Sequence, residues 1–160
     1  MHQLFRNPLV PLSFFLAILF GTFLYALTLL PAVRTPISSS ADIATLRTSE
    51  TTVRAFIADS DVERKRGLSG RPNLVDGTGM LFVFKESGEH GIWMKDMRFP
   101  IDILWLDERL RVVSIKEDAR PESYPEVFRS SLPARYVLEV PEGFARKHTI
   151  VVGSEFSIEQ

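Results

Sequence analysis

The sequence predicts a mainly β (α+β) domain: a small barrel-like or strongly curved antiparallel sheet with two short helices, preceded by an N-terminal transmembrane helix. Three observations carry this expectation. Seven short apolar or alternating runs lie between Val53 and Ile158. Only two brief segments in that span carry helix signals. Ahead of them, Arg6 and Arg34 bracket 27 residues, Asn7 to Val33, without a single charge. Short strands separated by turns over about 110 residues point to a barrel or a curved sheet.

The uncharged run comes first. A helix rises about 1.5 Å per residue and a bilayer's hydrocarbon core is about 30 Å thick, so roughly 20 apolar residues span it. Leu9 to Leu30 is long enough. Residues 1–34 therefore read as a membrane anchor or signal segment. A cleaved signal peptide has a shorter apolar run and a small-x-small site. Pro31-Ala32-Val33-Arg34 is a poor site and Ser38-Ser39-Ser40-Ala41 a better one, so the anchor is the first reading and a cleaved, soluble exported form the second. Arg6 and Arg34 give almost no positive-inside bias. A short tail followed by a long chain favours the folded part lying outside the cytoplasm, periplasmic or extracellular, with the membrane as partner.

Residues 35–51, with Pro36 and the Ser38-Ser39-Ser40 run, read as a linker, and residues 52–160 as one β-rich domain. Val53, Ala55 and Ile57 alternate as a first strand. Ser60 and Glu63 have capping-box spacing and open a helix that Gly67 ends. Gly79 to Phe84 is a strand apolar on both faces, and His90 to Lys95 reads as another. Pro100 holds Phe99 extended and launches Ile101 to Leu106, which Asp107-Glu108-Arg109 turns back as a hairpin with Leu110 to Lys116. Glu117 to Pro133, with three prolines, is a long excursion. Ala134 to Val140 alternates most clearly, a short helix sits near Phe144 to His148, and Glu155 to Ile158 closes the domain.

Composition excludes several classes of function. The chain has no cysteine, so its core alone must hold it in an oxidising compartment. From Glu50 onward 16 Lys plus Arg face 19 Asp plus Glu, which lacks the basic footprint that nucleic-acid binding needs. Asp76-Gly77-Thr78-Gly79 is followed by no lysine and reads as a turn rather than a phosphate loop. No serine elbow, cysteine nucleophile or paired histidines at ligand spacing occur, and no cofactor is implied.

Five segments together resemble one family: Gly67-Leu68-Ser69-Gly70-Arg71, Gly79 to Phe84, Trp93-Met94-Lys95-Asp96-Met97, Pro100 to Asp107, and Ala134 to Val140. They are similar to the domain-of-unknown-function family numbered 192, over roughly Val53 to Ile158. The resemblance implies a compact barrel-like β fold with a helix or two, often carried behind a signal or anchor helix, and implies no activity. Asp96-Met97 stands where asparagine-threonine is common, and Ser69 where methionine is.

Function is expected in the stretch Trp93 to Asp107, which packs charges among large apolar residues. Asp102 lies in an otherwise apolar strand, where an unpaired carboxylate would be costly. Lys95 is the first expected partner, Arg71 the second, with Arg98 a third candidate. The plainer reading is an ion pair that fixes register. The functional one is a polar floor of a ligand groove made by Arg71, Trp93, Lys95, Asp96, Asp102 and Tyr124. Neighbours on a strand point opposite ways, so Lys95 and Asp96 are not expected to share a face. Trp93, Tyr124 and Phe128 offer an aromatic wall of the kind that saccharide sites use, whereas Trp105 alternates with Ile101 and Ile103 as core. A non-catalytic module for a glycan or other envelope component is the first functional expectation. Alternatives are a hydrolase using Asp96 and Asp102 and a copper-handling protein using Met80, His90, Met94 and Met97. The latter competes with the ordinary use of methionine as core filler.

Overall fold

The computed structural model describes residues 42–159. The expected transmembrane helix and the first part of the expected linker lie outside them. No helix among the described residues is long and apolar enough to cross a membrane.

Part of the expected linker is a strand. Ile43–Arg47 (β1) pairs antiparallel with Thr52–Ala58 (β2), bringing Leu46 opposite Val53 and Ala44 opposite Ala55. Thr48 makes the turn, its Oγ1 accepting from the backbone N–H of Glu50 and of Thr51, each at 3.1 Å. The Ser/Thr-rich character of this segment thus serves a hairpin turn rather than a spacer.

After β2 the capping box forms as expected. Ser60 accepts from the Glu63 N–H while Glu63 accepts from the Ser60 N–H, opening the helix Asp61–Arg66 (α1). The chain then returns as Thr78–Gly88 (β3), which lies parallel to β2 with Phe56 opposite Met80. The antiparallel expectation fails at this pair, because a crossover containing a helix lets the chain re-enter the sheet in the same direction. Ile92–Trp93 (β4) is only two residues long. Ile101–Leu106 (β5), Val112–Ala119 (β6), Val127–Phe128 (β7), Ala134–Pro141 (β8) and Ser157–Glu159 (β9) follow. A second helix, Phe144–Lys147 (α2), comes after β8.

The main sheet runs β6-β5-β8-β3-β2-β1-β9, and β4 pairs with β7 beside it. The sheet does not close into a barrel, so that expectation is corrected. The segments leading into its two edge strands meet, Arg111 bridging to Glu155 and the Val112 N–H donating to the Ser154 carbonyl at 2.9 Å. The excursion 117–133 is also shorter than expected, since β6 runs on to Ala119 and β7 pairs with β4.

Both faces of the sheet are covered, so its central strands are buried on both sides. All six residues of β5 are buried. Period-two alternation sends Ile101, Ile103 and Trp105 to one cluster and Leu104 and Leu106 to the other. The second cluster takes in Phe144 and Ala145 of α2, while the first takes in Leu68, Ile92 and Met94. On β8, Val137 joins the Leu68 side and Leu138 and Val140 join the α2 side. Asp102 and Glu139, the carboxyls of β5 and β8, therefore sit on opposite faces of one sheet.

Candidate functional site

The site is assembled where the end of α1 meets the turn after β4. Gly67 ends the helix with φ +50°, and a side chain there would press a Cβ to 3.2 Å from the Phe82 ring. Leu68 then plugs into the core. Ser69 donates its hydroxyl to the Lys95 carbonyl at 2.8 Å, and the Gly70 N–H donates to the Asp96 carbonyl at 2.9 Å. Two of the segments that carry the family resemblance, 67–71 and 93–97, are thereby stitched together. Gly91 allows β7 to close on β4, since a Cβ there would lie 2.6 Å from Val127.

A hollow opens between these segments and the sheet. Its inner part is a cavity of about 230 Å³, reaching from Arg64 and Leu68 past Phe82 and Phe84 to Glu139. Its outer part is a groove of about 380 Å³ bordered by Val62, Trp93, Lys95 and Asp96. Lys65, Arg66, Ser69 and Trp93 border both parts.

Glu139 is the inner wall's distinctive group. It is 4% exposed, and its Oε2 has no hydrogen-bond partner among the described residues. Burial pushes its carboxyl up to about 8, so it carries a proton at neutral pH. One guanidinium of the lining, that of Arg64, is committed elsewhere. Arg64 donates to the Val83 carbonyl at 2.8 Å, pairs with Asp61 and lies over the Phe84 ring at 5.5 Å. Lys65 and Arg66 are exposed and make no ion pair among the described residues.

The residues singled out from sequence divide into two groups. Trp93 and Tyr124 do come together, edge to face with centroids 6.4 Å apart, each 45% exposed. Lys95 and Asp96 border the outer groove and pair at 2.8 Å, which raises the Lys95 pKa through the hydrogen bond and charge of Asp96. The expectation that they point apart is corrected. The strand ends at Trp93, and Asp96 turns with φ +56°, so strand alternation does not apply.

Asp102 and Arg71 stand outside the hollow. Asp102 is fully buried on the opposite face and meets no cation among the described residues. Its Oδ1 accepts from the Asp118 N–H and its Oδ2 from the Ala145 N–H, both at 3.0 Å. The expected pairing with Lys95 or Arg71 is therefore corrected, because backbone donors from β6 and α2 take both oxygens. Arg71 lies over the Phe56 ring at 4.5 Å. Trp105 is core as expected, donating Nε1–H to the His90 carbonyl at 2.9 Å. Phe128 packs at the edge of the core under Lys116. Met80 and Met94 are buried core residues, Met97 packs against them, and the His90 ring stacks on Phe84. These are the packing roles that compete with copper ligation.

Sequence reasoning missed Glu139, although the signal was available: it is flanked by Leu138 and Val140 as Asp102 is by Ile101 and Ile103.

Comparison with known proteins agrees with this architecture. Among curated proteins, none matches. A crystal structure from Sinorhizobium meliloti 1021, provisionally named a transcription regulator, is 27% identical with TM-score 0.67, covering 72% of this chain and 92% of that one. A protein of unknown function from Novosphingobium aromaticivorans DSM 12444 is 26% identical with TM-score 0.66, covering 74% and 84%. The family model described as "Uncharacterized ACR" matches residues 43–158, and the chain belongs to that family, domain of unknown function 192.

Proposed function

We propose that this domain is a non-catalytic binding module, held at a membrane by its N-terminal segment and facing outside the cytoplasm, that takes a saccharide or similar polyhydroxylated envelope component in the hollow between α1 and Trp93–Asp96. One observation carries the reading. The inner cavity is lined both by the exposed Trp93, against whose indole Tyr124 stands edge-on, and by a buried carboxyl whose Oε2 has no partner among the described residues. A buried polar atom without a partner costs free energy, and a ligand hydroxyl reaching Glu139 would remove that cost. A sugar ring supplies both halves of the match, since its C–H face packs on an indole and its hydroxyls hydrogen-bond. A binding role fits better than hydrolysis because Asp96 and Asp102 do not share the hollow: Asp96 is exposed and paired with Lys95, and Asp102 faces the other side of the sheet.

Tryptophan fluorescence tests the binding half. Trp93 is exposed and Trp105 is 1% exposed, so saccharide added to the full chain should protect Trp93 alone from acrylamide quenching. Trp93→Phe should abolish the effect. Saturating amounts of acidic, neutral and amino-sugar oligomers that all leave quenching unchanged would end the reading. The topology half is checked by C-terminal reporter fusions: an active alkaline phosphatase fusion is expected, and an active β-galactosidase fusion would overturn it.

A further inference from the structure

We propose that the hollow selects an anionic saccharide, one bearing a carboxylate, whose charged group lies between the Glu139 carboxyl as hydrogen-bond donor and the Lys65 and Arg66 side chains at the rim. The proposal rests on the saccharide reading above and narrows it to one class.

The charge arrangement around the cavity is one-sided. α1 contributes Arg64, Lys65 and Arg66 to its lining. From the sheet, Phe82 and Phe84 of β3 are uncharged, and so are Ile92, Trp93 and Met97 on the side of β4 and its turn. Among the described residues Glu139 is the one carboxyl that lines the cavity, and Lys95 and Asp96 offset each other at the outer end. Arg64 is already held by a backbone carbonyl and by Asp61. Lys65 and Arg66 remain exposed and border both parts of the hollow.

These facts separate three ligand charges. A cationic group would meet three basic side chains on its way to Glu139. A neutral sugar would satisfy Glu139 and leave the rim cations unused. A carboxylate uses both ends, since a protonated carboxyl donates one O–H to its oxygen while the cations offset its charge. Glu139 is protonated at neutral pH because burial raises it, so donor and acceptor are matched without repulsion. Apolar walls at Leu68, Phe82 and Phe84 would strengthen such a charge-assisted bond by keeping water away.

Three trisaccharides, presented to the full chain and followed by Trp93 quenching, separate the cases: trigalacturonate (acidic), N-acetylchitotriose (neutral) and chitosan trimer (cationic). The expected result is that the acidic trimer binds at pH 6.5 at least about tenfold more tightly than either other. That affinity should fall roughly tenfold per pH unit once pH passes that of Glu139 deprotonation. Glu139→Gln keeps a neutral donor, so its binding should become flat between pH 6.5 and 9. The surface double variant Lys65→Gln/Arg66→Gln should lose the preference for the acidic trimer while keeping its fold, which near-UV circular dichroism checks. Equal binding of the acidic and neutral trimers would overturn this inference and leave the saccharide reading standing. Preference for the cationic trimer would overturn it as well. No binding of any trimer would overturn both.

Discussion

Asp102 and Glu139 are two buried carboxyls on neighbouring strands of the same sheet. In the β5–β8 register Asp102 faces Val140 and Glu139 faces Ile103, so they are diagonal neighbours pointing through opposite faces. Both lie between large apolar residues and both are nearly or fully buried. Their surroundings differ completely. Asp102 ties β5 to β6 and to α2 through two backbone N–H groups. Glu139 faces a cavity with an unpartnered oxygen. A buried carboxyl with every oxygen satisfied is part of the scaffold. One left open toward a hollow has a cost that the fold alone does not explain.

The contrast breaks most sharply under pH. Glu139 has a folded pKa of about 8 against an ordinary 4.5, so the folded chain keeps a proton that the unfolded chain releases between those values. Its contribution is most favourable below about pH 4.5 and is lost as pH rises toward 8. Glu139→Gln should remove that decline, and the stability difference between variant and parent should change by on the order of 4 kcal/mol between pH 4.5 and pH 9. Denaturant titrations across that range measure it. No change in the difference would mean that Glu139 has a partner after all.

Asp102 gives the next effect. Asp102→Ala leaves the buried Ala145 N–H and the part-buried Asp118 N–H without their acceptor and should cost about 2–4 kcal/mol at pH 7, the buried donor contributing roughly 1–3 and the part-buried one less. Adding Lys95→Met should recover nothing, because Lys95 is not its partner. Recovery in the double variant would restore the ion pair expected from sequence.

The smallest effect is expected at the exposed pair. Lys95 and Asp96 side chains are 47% and 67% exposed, so solvent screens the pair and Lys95→Ala should leave stability close to the parent's in denaturant titration. A loss near that of Asp102→Ala would show that the turn 94–97 depends on the pair.

Local features were legible in the sequence and long-range ones were not. The capping box at Ser60 and Glu63, the strand after Pro100 and the core place of Trp105 all follow from spacing and alternation within a few residues. β1 was hidden because its apolar face is only Ala44 and Leu46, set among threonines. The parallel β2–β3 pair and the open sheet depend on strand order, which alternation does not encode. Of the residues singled out from sequence, Trp93, Lys95 and Asp96 border the hollow and Tyr124 stands against Trp93, whereas Asp102 lies on the other face and Glu139 lines the cavity. Asp102 and Glu139 each lie between two aliphatic residues in sequence. What separates them is whether backbone N–H groups from distant elements arrive, and only the folded chain decides that.

The central claim concerns the state of one group, so a ¹³C NMR titration of the Glu139 side-chain carboxyl, assigned by its disappearance in Glu139→Gln, tests it most directly. The account predicts a midpoint near pH 8. A midpoint at the ordinary glutamate value would contradict it.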